Sequence, residues 1–341
     1  MTRGARKTGG PASAPAIRSE ADLLAAVYGF RASRIILTAF ELGIFSSLGD
    51  EAMPAARLAG LAHVDPRAGE RLLNALCALG LVKKNRGNYR NARLARELLV
   101  PSRPRFLAGL VHSANQWRSW DTLSDAVRRG TSVLPRPARG DEERRRGFIA
   151  AMHERASRQA PHVVRLLDLG HVRHCLDIGA GSGAYALALA RAKETLRVTA
   201  LDLPEVLALT REYVRRAGLL RRIDFLAGDF HRGGFGSGYD LVLLSAIVHM
   251  NDAAQNQLLV GRAAAALNRG GQLVVQDFIM RPDRTRPATG AIFALNMLVA
   301  TAGGDSYTAA EIASWMRAAG LKKIRRVRTP FEASLLVGWK P

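Results

Sequence analysis

The chain has 341 residues, enough for two domains and a sizeable core, and 48% of them are hydrophobic, in keeping with a folded, water-exposed enzyme. The basic start lacks a secretion-type apolar stretch and the longest apolar candidate, the interrupted 291–302 segment, falls short of the roughly 18 residues of a membrane span, so a cytoplasmic protein with no membrane partner is expected. Cys77 and Cys175 are the only cysteines, which excludes a disulfide framework or a cysteine metal cluster; the formal charge of +21 rests on 50 basic residues spread along the chain rather than on one basic domain.

Residues 1–18, rich in Gly, Pro, Ala, Ser and cations, read as a disordered arm. From 21 to 43, Leu23, Leu24, Val27, Phe30, Ile35, Ile36 and Phe40 recur at helical spacing and make an apolar stripe too large to stand alone. Short helices are expected over 55–62 and 66–79, followed by a hairpin over 80–90. Two helices and a hairpin in that order form a winged-helix unit, placed within 19–130 together with a further helical stretch over 106–129. Residues 131–160 are assigned to a Pro- and charge-rich connector and a helix starting at Phe148, and 161–341 to an α/β domain. Short apolar strands there, at 174–178, 198–202, 223–227, 240–244 and 271–277, alternate with helices, the signature of a doubly wound parallel sheet. The closing strands 324–328 and 333–338 are too close in sequence for a helical crossover, so the seventh strand runs antiparallel.

The first of these strands breaks into Asp177-Ile178-Gly179-Ala180-Gly181-Ser182-Gly183. Glycines at such a turn admit positive φ and let backbone N–H groups approach a ligand, and the following helix presents its N-terminus to it. The G-x-G-x-G spacing, in place of the dinucleotide G-x-G-x-x-G, points to S-adenosylmethionine (SAM) rather than NAD. Asp202 ends the next strand 19 residues after Gly183, where a carboxylate accepts from ribose hydroxyls. Gly228, Asp229 and Phe230 end the third strand and supply an acceptor for an adenine amino group beside a ring that stacks. Ser245 and His249 lie at the tip of the fourth strand and Asp277 at that of the fifth.

A sulfonium methyl is already activated, so the remaining tasks are in-line positioning and removal of a proton from a weak nucleophile such as a phenol. An imidazole held by a carboxylate on its far nitrogen performs the second task. His249 with Asp277 is the candidate pair; a structural histidine capping a helix is the alternative. Trp117, Phe148, Met152, Asn296 and Met297 are candidates for an aromatic and Met-lined substrate pocket, with core packing the competing role for each. His153, His162, His171 and His174 have no spacing that closes a metal site, so no metal is expected and surface or packing roles are assigned to them.

With these residues placed, the chain from about 20 to 341 resembles the SAM-dependent O-methyltransferases of the plant caffeate and acetylserotonin type and their bacterial natural-product relatives. The resemblance rests on Glu41-Leu42-Gly43-Ile44-Phe45, the glycine turn, Leu201-Asp202-Leu203-Pro204-Glu205-Val206, Gly228-Asp229-Phe230 and Ala266-Leu267-Asn268-Arg269-Gly270-Gly271. It implies SAM contacts at Gly179, Asp202, Leu203, Asp229, Phe230 and Ser245, a general base at His249, and an N-terminal domain that forms a homodimer. Asp277 matches the position of a glutamate beside that histidine. The chain departs from the plant pattern at His249-Met250-Asn251-Asp252, and at Gly303-Gly304-Asp305-Ser306, where Ser306 replaces a second helper glutamate and Asp305 is an acidic neighbour. The expected function is methyl transfer to a hydroxyl of a small aromatic or polyketide-type molecule. Other SAM-dependent chemistry (C-methylation, hydroxylation, decarboxylation) and a SAM-sensing regulator gripping DNA through Lys83 to Arg96 stay open as alternatives.

Overall fold

The computed structural model describes residues 16–135 and 141–341; apart from residues 16–18, the arm expected over 1–18 lies outside them. The chain divides into two compact units, 16–117 and 118–341.

The first unit is built from α1 (Glu20–Tyr28), α2 (Phe30–Glu41), α3 (Ile44–Leu48), β1 (Met53–Pro54), α4 (Ala55–Leu61), α5 (Pro66–Ala78), β2 (Val82–Asn85), β3 (Asn88–Asn91) and α6 (Arg93–Leu98). Asp65 caps α5 by accepting from the Ala68 N–H at 2.8 Å, and Pro66 fits the first turn, where no N–H is needed. The hairpin β2–β3 acquires a third strand, β1, which pairs antiparallel with β3. Buried Tyr89 donates to Asn74 Oδ1 or Glu70 Oε1 at 2.8 and 3.0 Å, while Asn91 Nδ2 ties β3 to the Phe45 and Gly49 carbonyls at 2.9 and 3.0 Å. Three cations of the basic cluster between Lys83 and Arg96 meet acids, Glu70 on Lys84, Glu97 on Arg93 one turn along α6, and Asp50 on Arg96. The first part of the stripe seen in the sequence stays open, with Leu23, Leu24, Val27 and Phe30 exposed beside Tyr28, while Ile35 and Phe40 of α2 turn to the unit's core. The helical stretch Glu20–Glu41 is long and apolar enough, by length and composition, to cross a bilayer, which the interrupted-run argument missed; only 11% of its most apolar window is buried.

Helix α7 (Leu110–Asp121) carries the chain into the second unit, which continues with α8 (Leu123–Arg129), α9 (Glu142–Val164), β4 (His174–Ile178), α10 (Ala184–Ala192), β5 (Arg197–Asp202), α11 (Pro204–Arg216), β6 (Ile223–Ala227), β7 (Tyr239–Ser245), a short 3-10 turn Val248–Met250, α12 (Ala253–Ala265), β8 (Leu267–Asp277), α13 (Ala288–Ala300), α14 (Ala309–Ala318), β9 (Lys322–Arg328) and β10 (Ser334–Trp339). The strands form one seven-stranded sheet in the order β6-β5-β4-β7-β8-β10-β9, with β10 antiparallel to both its neighbours, as the sequence implied. Helix α9 begins six residues before Phe148, because Asp141 caps it through the Arg144 N–H and Glu142 pairs with Arg146 one turn on.

Both faces of the sheet are covered, and neighbouring residues on one strand face opposite ways. Leu241 and Leu243 of β7 pack with Val163 and Val164 of α9 and Leu189 of α10; Val242 and Leu244 pack with Leu259 of α12 and Met316 of α14. Capping boxes start α12 (Asp252 with Gln255) and α14 (Thr308 with Glu311). Asp252, in the segment that departs from the plant pattern, is thus a helix cap. Lys322, Lys323 and Arg325 lie on the sheet's outermost strand, where cations discourage edge-to-edge pairing.

Replacing Asn91 with Leu removes the donor from two carbonyls and is expected to destabilise the first unit by about 2–4 kcal/mol. Faster amide exchange in 44–50, measured by mass spectrometry on the full chain, is the predicted signature; unchanged exchange there would contradict the tie.

Candidate active site

Parallel pairing brings the carboxyl ends of β5, β4, β7 and β8 side by side, so loops distant in sequence share one crevice. After β4 the three glycines of the turn adopt φ values of +70, +55 and +76°. A Cβ on Gly179 would lie 2.3 Å from Ile247 Cδ1, and one on Gly183 would lie 3.0 Å from Thr210 Cγ2, so the turn is compressed between β7's exit and α11. Asp202 holds it from the next strand: one carboxylate oxygen accepts the Gly181 N–H and the other the Leu203 N–H, both at 2.8 Å. Each oxygen keeps a lone pair for a further donor. Burial drives the Asp202 pKa up to about 6 against the pull of those two N–H groups.

Asp177 sits beneath the turn, fully inside the protein. It accepts from the backbone N–H of Ala186 in the first turn of α10, while its Oδ2 has no partner among the described residues. Desolvation raises its pKa to about 7. An orphaned buried carboxylate oxygen next to a glycine cradle fits a cationic ammonium group on a ligand. Phe230 approaches the Gly179 position to 3.8 Å of a would-be Cβ, and Asp229 Oδ1 accepts the His231 N–H at 2.9 Å, leaving the other oxygen facing Arg232 at 4.0 Å. Gly228 N–H donates to the Asp202 carbonyl at 3.0 Å, so the ends of β5 and β6 stay in step. Turn, acids and ring together match the parts of an aminoacyl-adenosine ligand such as SAM. The Ser245 hydroxyl donates to Gln276 Oε1 at 2.6 Å and also pairs with the buried Tyr185, so only its backbone is open to a ligand.

At the exit of β7, Ala246 takes a left-handed φ of +57° and turns the chain back over the sheet edge. His249 follows in the 3-10 turn, 9% exposed, with Nδ1 at 2.9 and 3.0 Å from the two oxygens of Asp277. Asp277 also accepts the Phe278 N–H at 2.8 Å. Because a carboxylate only accepts, Nδ1 carries the hydrogen and Nε2 is the basic nitrogen. The edge of Phe293 meets the imidazole at a ring separation of 4.7 Å, and Phe293 packs on Phe278 at 5.1 Å. The Gly303-Gly304 turn closes on the same spot, since a Cβ at Gly304 would lie 2.3 Å from the His249 carbonyl. Asp305 turns instead to Arg284 at 2.8 Å, and Ser306 donates to the Gly290 carbonyl at 2.8 Å. Asp277 is therefore the acid that holds His249.

Met297 is buried on α13, and Asn296 beside it accepts from Trp120 Nε1 at 3.1 Å. Phe148 and Met152 lie on α9, with Phe148 40% exposed; Trp117 belongs to the first unit, with the Arg34 guanidinium 5.6 Å from its ring. His153, given a packing role from sequence, does more: its Nδ1 is 2.9 Å from the Ser182 hydroxyl inside the glycine turn, and its ring packs on Tyr213 at 4.1 Å. Burial lowers its pKa. Phe278, Phe293 and Tyr185 also escaped sequence reading, since a lone aromatic in an apolar run carries no motif. Among the described residues no group of acids, His and Cys is arranged to hold a metal ion.

Two family models match the chain: an O-methyltransferase dimerisation domain over residues 24–101 and an O-methyltransferase domain over 120–322. The chain is 34% identical over 307 residues, 88% of its length and 89% of the relative's, to the 3-hydroxy-5-methyl-1-naphthoate 3-O-methyltransferase of Streptomyces sahachiroi. It is 29% identical over 95% of its length and 98% of the relative's to the tetracenomycin polyketide synthesis 8-O-methyl transferase TcmO of Streptomyces glaucescens. Among solved structures, PigF with SAH superposes with a TM-score of 0.86 at 26% identity, covering 95% of this chain and all of that one.

Asp177→Asn is expected to stabilise the ligand-free protein at pH 8, where the wild-type carboxylate is ionised and unpaired. Because its folded pKa lies above the unfolded value, the wild type regains stability as pH falls from about 7 towards 4, by about 1.4 kcal/mol per pH unit, while Asn is indifferent. Thermal denaturation of both proteins from pH 4.5 to 8 reads this; parallel curves would show that Asp177 does not titrate in that range.

Proposed function

Because the chain belongs to the SAM-dependent O-methyltransferases that carry an N-terminal dimerisation domain, we propose that it methylates a hydroxyl of an aromatic, polyketide-type acceptor with His249 as general base. The observation that carries this reading is the His249–Asp277 pair at the mouth of the cofactor crevice. The activities of the Streptomyces relatives, on a hydroxynaphthoate and in tetracenomycin polyketide synthesis, support the acceptor class.

When bound, SAM supplies a methyl group already activated on sulfur. The N–H groups of Gly179, Ala180, Gly181 and Gly183 are spent on Leu201, Asp202 and Ala180, so the Cβ-free turn serves by close approach, while Asp177 Oδ2 would take the ammonium, Asp202 the ribose hydroxyls, and Asp229 with Phe230 the adenine. His249 Nε2 receives the acceptor's hydroxyl proton as the new O–C bond forms. Asp277 stabilises the resulting imidazolium and keeps the ring from turning. Burial of the pair excludes water, so the proton goes to the imidazole and the hydroxyl stays aimed. The ionised phenolate fraction is small at neutral pH, since a phenol titrates near 10, which is why a base at this position matters.

We infer a homodimer in which the open apolar face of α1 and α2 is the contact, since the dimerisation model begins inside it.

His249→Ala is expected to lower kcat by about 10²–10⁴-fold while calorimetric affinity for S-adenosylhomocysteine holds. Full turnover in the variant would remove the general-base assignment and leave positioning alone. Asp277→Asn, with the acceptor for Nδ1–H replaced by an amide that also donates, should lose a comparable fraction. Replacing both Val27 and Phe30 with Asp is expected to shift the protein to a monomer in sedimentation velocity; an unchanged dimer would place the contact elsewhere.

A further inference from the structure

One stripe of α9, at Phe148, Met152, Arg155 and Gln159, runs along the crevice at helical spacing. Gln159 reaches Gln276 on β8 at 3.4 Å, and the Arg155 guanidinium sits 4.8 Å over the ring of Phe278, the residue that follows the end of that strand. Arg155 is thereby placed at the carboxyl end of β8, two ring contacts from Phe293 and three from His249, each about 5 Å long. Its charge also reaches the Tyr185 hydroxyl, which is bonded to Ser245 and Gln276 at the tips of β7 and β8.

The guanidinium is half-buried and, among the described residues, no carboxylate lies within 4 Å of it. Arg146 on the same helix and Arg284 are paired with acids, whereas the partner of Arg155 is the Phe278 ring. An aromatic face gives a cation partial compensation, worth less than a carboxylate in a partly desolvated setting. A fixed, half-dry guanidinium with unused donors is a receptor for a planar anion, which it binds through two parallel N–H groups.

Resting on the methyl-transfer reading above, we propose that Arg155 selects the acceptor: the enzyme takes hydroxyarene carboxylates, with the hydroxyl at His249 and the carboxylate on Arg155. Phe278 and Phe293 lie between the two polar ends and pack against the acceptor's ring system. Arg155 takes no part in proton or methyl transfer. It fixes which hydroxyl faces the base, so its contribution falls on specificity and regiochemistry.

The test compares 3-hydroxy-1-naphthoate with its methyl ester, and wild type with Arg155→Gln and Arg155→Lys. Binding is measured calorimetrically in the presence of S-adenosylhomocysteine, and turnover by methyl-ether formation from SAM. Wild type is expected to favour the acid in both; Arg155→Gln should lose about 10- to 100-fold in affinity and kcat/KM for the acid with little change for the ester. Arg155→Lys should recover part of the preference. Equal losses for acid and ester would make Arg155 a packing residue and overturn the proposal, as would a wild type indifferent to the carboxylate. Weakened S-adenosylhomocysteine binding in Arg155→Gln would assign the guanidinium to the cofactor instead, and also overturn it. Binding separates the two readings: acid binding lost in Arg155→Gln without any ether formed by wild type sinks methyl transfer and keeps the carboxylate site. Efficient methylation of the ester by both proteins keeps methyl transfer and sinks the site.

Discussion

The pairing register between β7 and β8 is the constraint on which the site depends. Ser245 stands opposite Gln276, so the last residues of both strands finish level at one edge of the sheet, and the turn after β7 drops His249 onto Asp277. A slip of one residue would turn Asp277 to the other face and leave its charge against hydrophobic packing. The register is secured by burial on both faces, since Val242 and Leu244 belong to one hydrophobic cluster and Leu241 and Leu243 to the other. Hydrophobic packing of the middle strands thus sets the geometry of a polar pair that by itself contributes little to folding.

The crevice holds two carboxylates at an electrostatic cost. Asp177 and Asp202 are each raised by burial, and the charge of Asp202 on the neighbouring strand raises Asp177 further. Backbone N–H groups offset part of that cost: Ala186 for Asp177, Gly181 and Leu203 for Asp202. What is left unmet, an orphaned oxygen under the turn, is the sort of site-local instability that binding a cationic ligand removes. The same logic applies on the acceptor side, where Arg155 is held over a ring without an acid partner among the described residues.

In the first unit the demand runs the other way. Its small core is closed around Tyr89, Phe45, Leu73 and Leu76, yet the outer stripe of α1 and α2 leaves large apolar side chains in water. An exposed apolar surface of this kind is characteristic of an interaction face. Of the basic cluster, Lys84, Arg93 and Arg96 meet Glu70, Glu97 and Asp50.

The doubly wound class of the sheet was legible in the sequence because buried parallel strands are short uninterrupted apolar runs between helices, and the short gap before the final strand forces it to reverse. The glycine turn and the candidates Asp202, His249 and Asp277 stood out too, since residues at the strand tips of a doubly wound sheet converge and carry recognisable spacing. The early start of α9 was not, because its first turn rests on a cap and an ion pair hidden in a charge-rich stretch that reads as a linker. Nor were His153 on Ser182, Arg155 over Phe278, or the engagement of Asp305 by Arg284, because each joins residues on separate elements with no motif between them. Sequence by itself determined the alternation of strands and helices, the reversed last strand and which polar residues stand at the strand tips, through local hydrophobic period and turn residues. Only the tertiary structure decided which acid meets the histidine and which cation is left without one, because those are properties of distances between elements.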